Sequence, residues 1–559
     1  MTRLRPLTGA LPFVALAGVL ACRAAPAQQP ADLVVYGRVW TGDSARPWAG
    51  AVAVSGDTVR AVGDSADIAL LAGADTRVLA NGTAMVLPGF MDGHLHFIDG
   101  GFQLARVDLR PASSPEEFIA RLKAYALERR AGEWILGGDW DHERWAGAPL
   151  PRREWIDSVT PHNPVFVSRL DGHMGLANTA ALRAAGITPA TKEIPGGVIV
   201  RDPRTGAPTG VLKDNAMGPV QAAVPVPTTE QRDAALRRAL AFAATKGVTA
   251  FAHVSADPAD LATYLRAKRA GTLTARAALY FPLETWRQVA DTIARLGRGD
   301  DWLWIGGVKG YVDGSLGSTT ALFYQPYGDD PSTSGVLVTP EDSLRAWIGG
   351  ADSAGLQVAV HAIGERANGV VLDIYDSVAK AHGPRDRRFR DEHAQHLRRQ
   401  DIERIARGGV IASMQPYHAI DDGRWAEKRI GPERIKTTYA FRSLLDRGAH
   451  LAFGSDWTVA PIDPILGIYA AVTRRTLDGK HPDGWVPEQK ISLDEALRAY
   501  TVGNAYGVFA ERTRGRLAAG YKADLVLLDR DLTRIPPEAI ERAAVRATVV
   551  GGKVVFEAK

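Results

Sequence analysis

Through the middle of this chain, short apolar stretches, each long enough for one strand, alternate with helical stretches. That alternation narrows the fold to a parallel sheet with crossover helices. Strand-like stretches fall at residues 248–252, 307–309, 357–360, 410–413 and 451–454, and helical ones at 230–246, 340–354 and 494–502. A length of 559 residues leaves room for a barrel of about 250 residues or more and an accessory domain. We therefore expect an α/β chain with a TIM-type (β/α)8 barrel over residues 88–505. One strand too many precedes Lys309: residues 164–168 and 277–280 compete for a single place, so part of about 110–230 is expected to be an insertion.

The two ends break the alternation. Residues 33–37, 51–54 and 59–63 read as short strands around the turn Ser55-Gly56-Asp57, and residues 523–529 and 547–556 read the same way around Gly551-Gly552. We expect residues 28–87 and 506–559 to pair into one small β-sandwich flanking the barrel. Neither an internal repeat nor a low-complexity tract interrupts the chain.

Chemistry is signalled first by His94 and His96, one residue apart after the strand-to-loop sequence Val86-Leu87-Pro88-Gly89. Side chains at i and i+2 of a strand face the same way, so both rings can address one ion. Alone, such a pair is a weak signal and more readily describes two polar residues at a strand end. Three further strand-like stretches end in His361, His393 and Asp456, and Lys309 sits within a fourth. Singly these read as a capping histidine, a helix-start aspartate or a solvated lysine. All fall where a barrel places its active site, at C-terminal strand ends and in barrel order.

With these residues in place, the chain resembles the amidohydrolase superfamily, and more closely its family 3 branch, which includes N-substituted formamide deformylase. The resemblance covers nearly the whole chain after residue 27. It is carried by Pro88-Gly89-Phe90-Met91-Asp92-Gly93-His94-Leu95-His96-Phe97, Gly137-Gly138-Asp139-Trp140-Asp141, Asp171-Gly172-His173, Val308-Lys309, Asp313-Gly314-Ser315, His361-Ala362-Ile363-Gly364, Glu392-His393-Ala394-Gln395, Gln415-Pro416 and Gly454-Ser455-Asp456. It implies that His94, His96 and Asp456 bind one metal ion and that His361 and His393 bind a second. Lys309 would bridge the two as a carbamate. Carbon dioxide turns a lysine amine, which as an ammonium has no lone pair, into an anionic ligand with two oxygens. Four histidines and carboxylate-type oxygens suit zinc, two ions per chain.

The reaction this implies is hydrolysis of a non-peptide C–N bond, in a small amide or an N-substituted formamide, by attack of a metal-bound hydroxide. Asp456 would serve as ligand and general base and pass the proton to the departing nitrogen. Ester or lactone hydrolysis on the same metals is the alternative, followed by a non-catalytic ligand-binding barrel. His173 is the candidate donor to the substrate carbonyl, or else a loop histidine that packs the insertion. Asp214 stands where the family more often has glutamate, which leaves its role open between supporting the site and touching substrate. Trp140, with Trp134, Trp145 and Trp155, either roofs the barrel mouth as a substrate contact or packs the insertion. His253 reads as a core histidine, and His396 and His418 receive no role.

Charge and the N-terminus bound the partners. Lys+Arg 67 against Asp+Glu 63, a formal +4, with no long basic run, excludes a nucleic-acid footprint. Residues 1–27 have the charged, apolar and small-residue regions of a signal peptide, with cleavage expected after Ala27 and an exported, periplasmic or extracellular product. Cys22, the single cysteine, follows Val19-Leu20-Ala21 as at a lipoprotein processing site and is a possible lipid anchor; otherwise it leaves with the signal. No later stretch is long and apolar enough to span a membrane.

Overall fold

Eight parallel strands follow one another in chain order around a central sheet: β1 Phe90–Leu95, β2 Val248–His253, β3 Arg276–Pro282, β4 Leu303–Tyr311, β5 Gln357–Ala362, β6 Arg390–His393, β7 Ile411–Met414 and β8 His450–Phe453. Each pairs in parallel with the next. The computed structural model describes residues 29–559, with residues 1, 2 and 9. The expected signal peptide, its cleavage point and Cys22 lie outside the described residues. Among the described residues no helix is long and apolar enough to cross a membrane.

The helices that lead into the strands are made as the sequence pattern requires. Helix Thr229–Thr245 starts at a capping box, in which Thr228 and Gln231 satisfy each other's free backbone N–H groups. It buries Ala235, Leu236, Ala239, Leu240, Ala243 and Ala244, one face at helical spacing, toward the strand that follows.

The eighth strand meets the first differently. Asn504 Nδ2 donates to both Met91 O (2.5 Å) and Phe453 O (2.7 Å), tying β1 to β8. Ser455 N donates to the Asp92 carboxylate at 3.0 Å, Asp456 N to His94 O at 2.7 Å and His96 N to Trp457 O at 2.6 Å. This approach requires glycine on both sides. A Cβ at Gly93 would lie 2.4 Å from Asn504 Oδ1, and one at Gly454 would lie 2.5 Å from His94 N.

Between β1 and β2 the chain builds a separate six-stranded sheet, ordered Gly197–Arg201, Pro208–Asp214, Met174–Ala177, Val165–Arg169, Ile135–Trp140, Val107–Asp108. The competition between two strand candidates is thereby resolved: Val165–Arg169 belongs to the inserted sheet and Arg276–Pro282 to the barrel.

Strands from both chain ends form one seven-stranded sheet, ordered Lys553–Glu557, Val545–Val550, Leu525–Leu528, Arg77–Pro88, Leu33–Trp40, Trp48–Ser55, Thr58–Gly63. It folds back on itself, with Val59 N on Tyr521 O and Ala523 N on Asp57 O, both at 2.8 Å. Side chains from both ends, such as Val35, Val52, Leu525 and Val549, share the enclosed core. Its anchor to the barrel is a buried bidentate pair: Arg276 Nε and Nη2 donate to Asp524 at 2.7 and 3.0 Å. Asp524→Ala leaves that guanidinium buried without its carboxylate, with Asp301 O as its remaining hydrogen-bond acceptor, which is expected to cost about 3–5 kcal/mol in denaturant unfolding. A loss below about 1 kcal/mol would show that the two domains do not depend on this pair.

Candidate metal centre

His94 closes β1, and His96 and Asp456 lie just past β1 and β8, so the barrel seam places these three together. Asp456 Oδ1 is 3.4 Å from His94 Nε2 and 3.4 Å from His96 Nε2. His361 and His393, from the ends of β5 and β6, hold their ring centroids 4.5 Å apart, and His393 is 4.9 Å from His94. Lys309 of β4 is 1% exposed, its Nζ 4.3 Å from the centroid of the Tyr311 ring. Among the described residues no carboxylate pairs with it. The barrel therefore brings together six of the residues singled out from the sequence: His94, His96, Lys309, His361, His393 and Asp456.

The donor set fits a metal ion. His94 Nδ1 is bonded to Glu392 Oε2 at 2.5 Å, and His94 Nε2 is buried with no hydrogen-bond partner. A ring held by one nitrogen, with the other left without a hydrogen bond, is how proteins present histidine to a metal. His393 is held likewise, its Nδ1 bonded to Gln415 Oε1 at 2.7 Å. Ligand atoms of His94, His96 and Asp456 all lie within 4.8 Å of one another, and so do those of His393, His418 and Asp456. Burial, reinforced by neighbouring cationic groups, keeps His361 and His393 neutral, well below the ordinary histidine range. Burial opposes ionisation of Asp456, but the adjacent His94 charge and hydrogen bonds outweigh it and hold the carboxyl well below its usual range. His94 differs: burial and Lys309 lower its pKa, but Glu392 and Asp456 prevail and raise it, so an ion bound there would displace its proton and leave neutral imidazoles beside an anionic oxygen. His393 (φ 79°) and Asp456 (φ 56°) also occupy the left-handed region, a backbone strain typical of functional positions.

Glu392 was quoted from the sequence only as part of a motif, and its function appears in the structure. Fully buried, it receives Arg390 Nε at 2.5 Å on one oxygen and His94 on the other. Burial would raise its pKa, but Arg390 and His94 press it far below the carboxylate range. Arg390 in turn donates to Gly93 O and Ser413 Oγ. The result is a charged strut beneath the first metal position, invisible to local pattern because its members come from β1, β6 and β7.

The insertion supplies the opposite wall. His173 sits in the turn between Val165–Arg169 and Met174–Ala177, and its Nδ1 meets Asp214 Oδ1 at 2.7 Å. Its ring is 4.9 Å from that of His361. Burial lowers the His173 pKa, but the Asp214 hydrogen bond and charge prevail and raise it. Asp214 itself adopts φ 47°. Asp171 clamps this turn to the barrel by accepting from Ser315 and Ser318 beyond β4, while Arg169 Nη1 pairs with it at 2.7 Å. A cavity of about 760 Å³ lies between barrel and insertion, with His94, His96, Lys309, His173, Asp214 and Asp456 on its lining.

Trp140 is not on that lining. It is fully buried in the insertion core, bonded through Nε1 to Val167 O, with Phe118 and Trp145 beside it. Tight packing of a large ring inside the inserted sheet keeps it from the cavity, so its expected substrate contact is corrected to a packing role. His253 is buried against Tyr264 and His396 is bonded to Thr438.

The sequence profile of the amidohydrolase family matches residues 80–556. The chain is 40% identical to Protein LONG AFTER FAR-RED 3 of Arabidopsis thaliana, covering 95% of this chain and 92% of that protein. It is 28% identical to N-substituted formamide deformylase of Arthrobacter pascens, covering 94% and 98%. A solved uncharacterised metal-dependent hydrolase from Pyrococcus horikoshii superposes with a TM-score of 0.73 at 30% identity, covering 90% of this chain and 99% of that one. Glu392→Gln should leave the protein folded by circular dichroism and weaken its metal affinity about 10- to 100-fold in chelator competition. Unchanged affinity would remove Glu392 from the account of how His94 is presented.

Proposed function

The chain belongs to the amidohydrolase family, and we propose that it hydrolyses a carbon–nitrogen bond other than a peptide bond, in a small amide or an N-substituted formamide. The observation that carries this reading is the facing arrangement of two groups across one cavity. Asp456 lies 3.4 Å from two histidine nitrogens on the barrel side, and His173, held by Asp214, lies on the insertion side. The deformylase relative, named for cleaving such a bond, supports it.

In this reading His94, His96 and Asp456 would hold one divalent ion and His361 and His393 a second, with a carboxylated Lys309 shared by the two. Imidazole and carboxylate donors favour zinc. A divalent ion in such a position acidifies bound water and polarises a carbonyl. The remaining work falls to the chain. Asp456, anionic at neutral pH, accepts a proton from water and returns it to the departing nitrogen, without which an amide has no adequate leaving group. His173, with Nδ1 committed to Asp214, offers Nε2 to the carbonyl oxygen as it gains charge.

The cavity is larger than a formamide needs. Leu136, Phe166, Met217, Val224 and Val226 give its insertion wall an apolar lining opposite the polar barrel floor. An apolar substituent on nitrogen would bury itself there while the amide lies over Asp456. The proposed location is outside the cytoplasm, on the leader-like residues 1–27 alone.

With zinc and bicarbonate supplied, the purified protein is expected to hydrolyse N-substituted formamides or other small amides. Asp456→Asn should lower kcat about 100- to 10,000-fold. Turnover of aryl esters or lactones with none of any amide would overturn the choice of bond. His173→Asn is expected to lower kcat about 100- to 1,000-fold with its fold intact, and a change confined to KM would reduce His173 to a binding contact.

A further inference from the structure

Beyond the six residues assigned above, one histidine at the same end of the barrel has no use. His418 stands in helix Pro416–Asp422, which follows β7, and its Nε2 is sealed from solvent with no hydrogen-bond partner. Its ring lies nearly parallel to that of His393, 6.4 Å away at 15°. One nitrogen of each ring and one Asp456 oxygen fall within 4.8 Å of one another. All three side chains line a small space of about 40 Å³ that adjoins the main cavity and shares Asp456, His361 and His393 with it, room for an ion and a water or two. We propose that His393, His418 and Asp456 form a metal position of their own, joined to the His94–His96 position through the shared Asp456 carboxylate.

The donor chemistry supports it. Two imidazoles and one carboxylate oxygen, with a place left open for water, are a sufficient protein ligand set for a zinc-like ion. Asp421, paired with Arg424, and Asp422, raised by burial to about 7, also line the space together with Arg169, so the ligand charge comes from Asp456.

His393 makes the position conditional. Its Nδ1 is committed to Gln415, which leaves the Nε2 lone pair, and one lone pair binds one ion. His393 therefore serves either His361 and Lys309 or His418 and Asp456 at a given moment. The Lys309 side needs carbon dioxide, because an uncarboxylated ammonium repels a cation and cannot ligate it. The His418 side includes no lysine and needs none. Without bicarbonate, the second ion sits with His418.

The test is metal counting on the full chain purified without chelator or a histidine tag, saturated with zinc under carbon-dioxide-free conditions and washed free of loose ion. Cobalt substitution gives the visible spectrum of each ion as a second readout. Wild type and Lys309→Met are expected to hold about two ions per chain, and His418→Phe and His418→Gln about one. A single ion in wild type, or two ions in both His418 variants, would overturn the proposal. Two substitutions of different size and a thermal melt separate ligand loss from unfolding. The proposal builds on the metal reading above but does not share its fate. Amide hydrolysis with two ions retained in the His418 variants defeats this inference alone. Ion loss in those variants with no amide turned over defeats the choice of substrate alone.

Discussion

The join between β1 and β8 is the constraint on which the site depends. Glycines at 93 and 454 let the strands approach, Asn504 bridges their carbonyls, and Asp92 caps the backbone of His94 and Ser455. Burial raises Asp92 to about 6 even with these donors around it, a measure of what it costs to keep a carboxylate at the seam. The same few residues hold His94, His96 and Asp456. The separation of the first three candidate ligands is thus set by how the sheet closes, and a looser seam would be a looser metal site.

Around that seam the interior is more charged than a barrel core needs to be. Arg390 and Glu392 are buried together beneath His94, and Arg169 is buried between Asp141 and Asp171 where the insertion meets the barrel. Buried ion pairs contribute little net stability against apolar packing, and breaking one is costly. Their value here is positional. The first pair aims a histidine nitrogen, and the second fixes the turn that carries His173.

The barrel by itself is a scaffold that accommodates many chemistries, and the chemistry lies in the site built on it. Three features individualise this one. An inserted sheet turns an open strand-end surface into a cavity with one apolar wall. A histidine–aspartate pair from that sheet faces the candidate metal donors. Asp456 stands between two pairs of histidines and belongs to both candidate ligand groups.

The sequence by itself determined the architecture. The alternation of strand and helix stretches specifies parallel strands and crossover helices, the β-rich ends find each other because neither has another partner, and polar residues closing apolar strands mark the working end. Six of the residues singled out, from His94 to Asp456, could be read this way because strand ends are local features and the barrel's handedness and order convert them into neighbours. Tertiary structure alone decided the rest. His94 and Glu392 are 298 residues apart, so no local periodicity encodes their contact. The four tryptophans of the insertion read alike in sequence, yet Trp140 is enclosed in its sheet while Phe166 reaches the cavity. His418 had no distinguishing pattern at all. Local chemistry specifies which elements form and which ends are polar; which polar groups meet, and which are sealed away unpaired, depends on packing between distant segments.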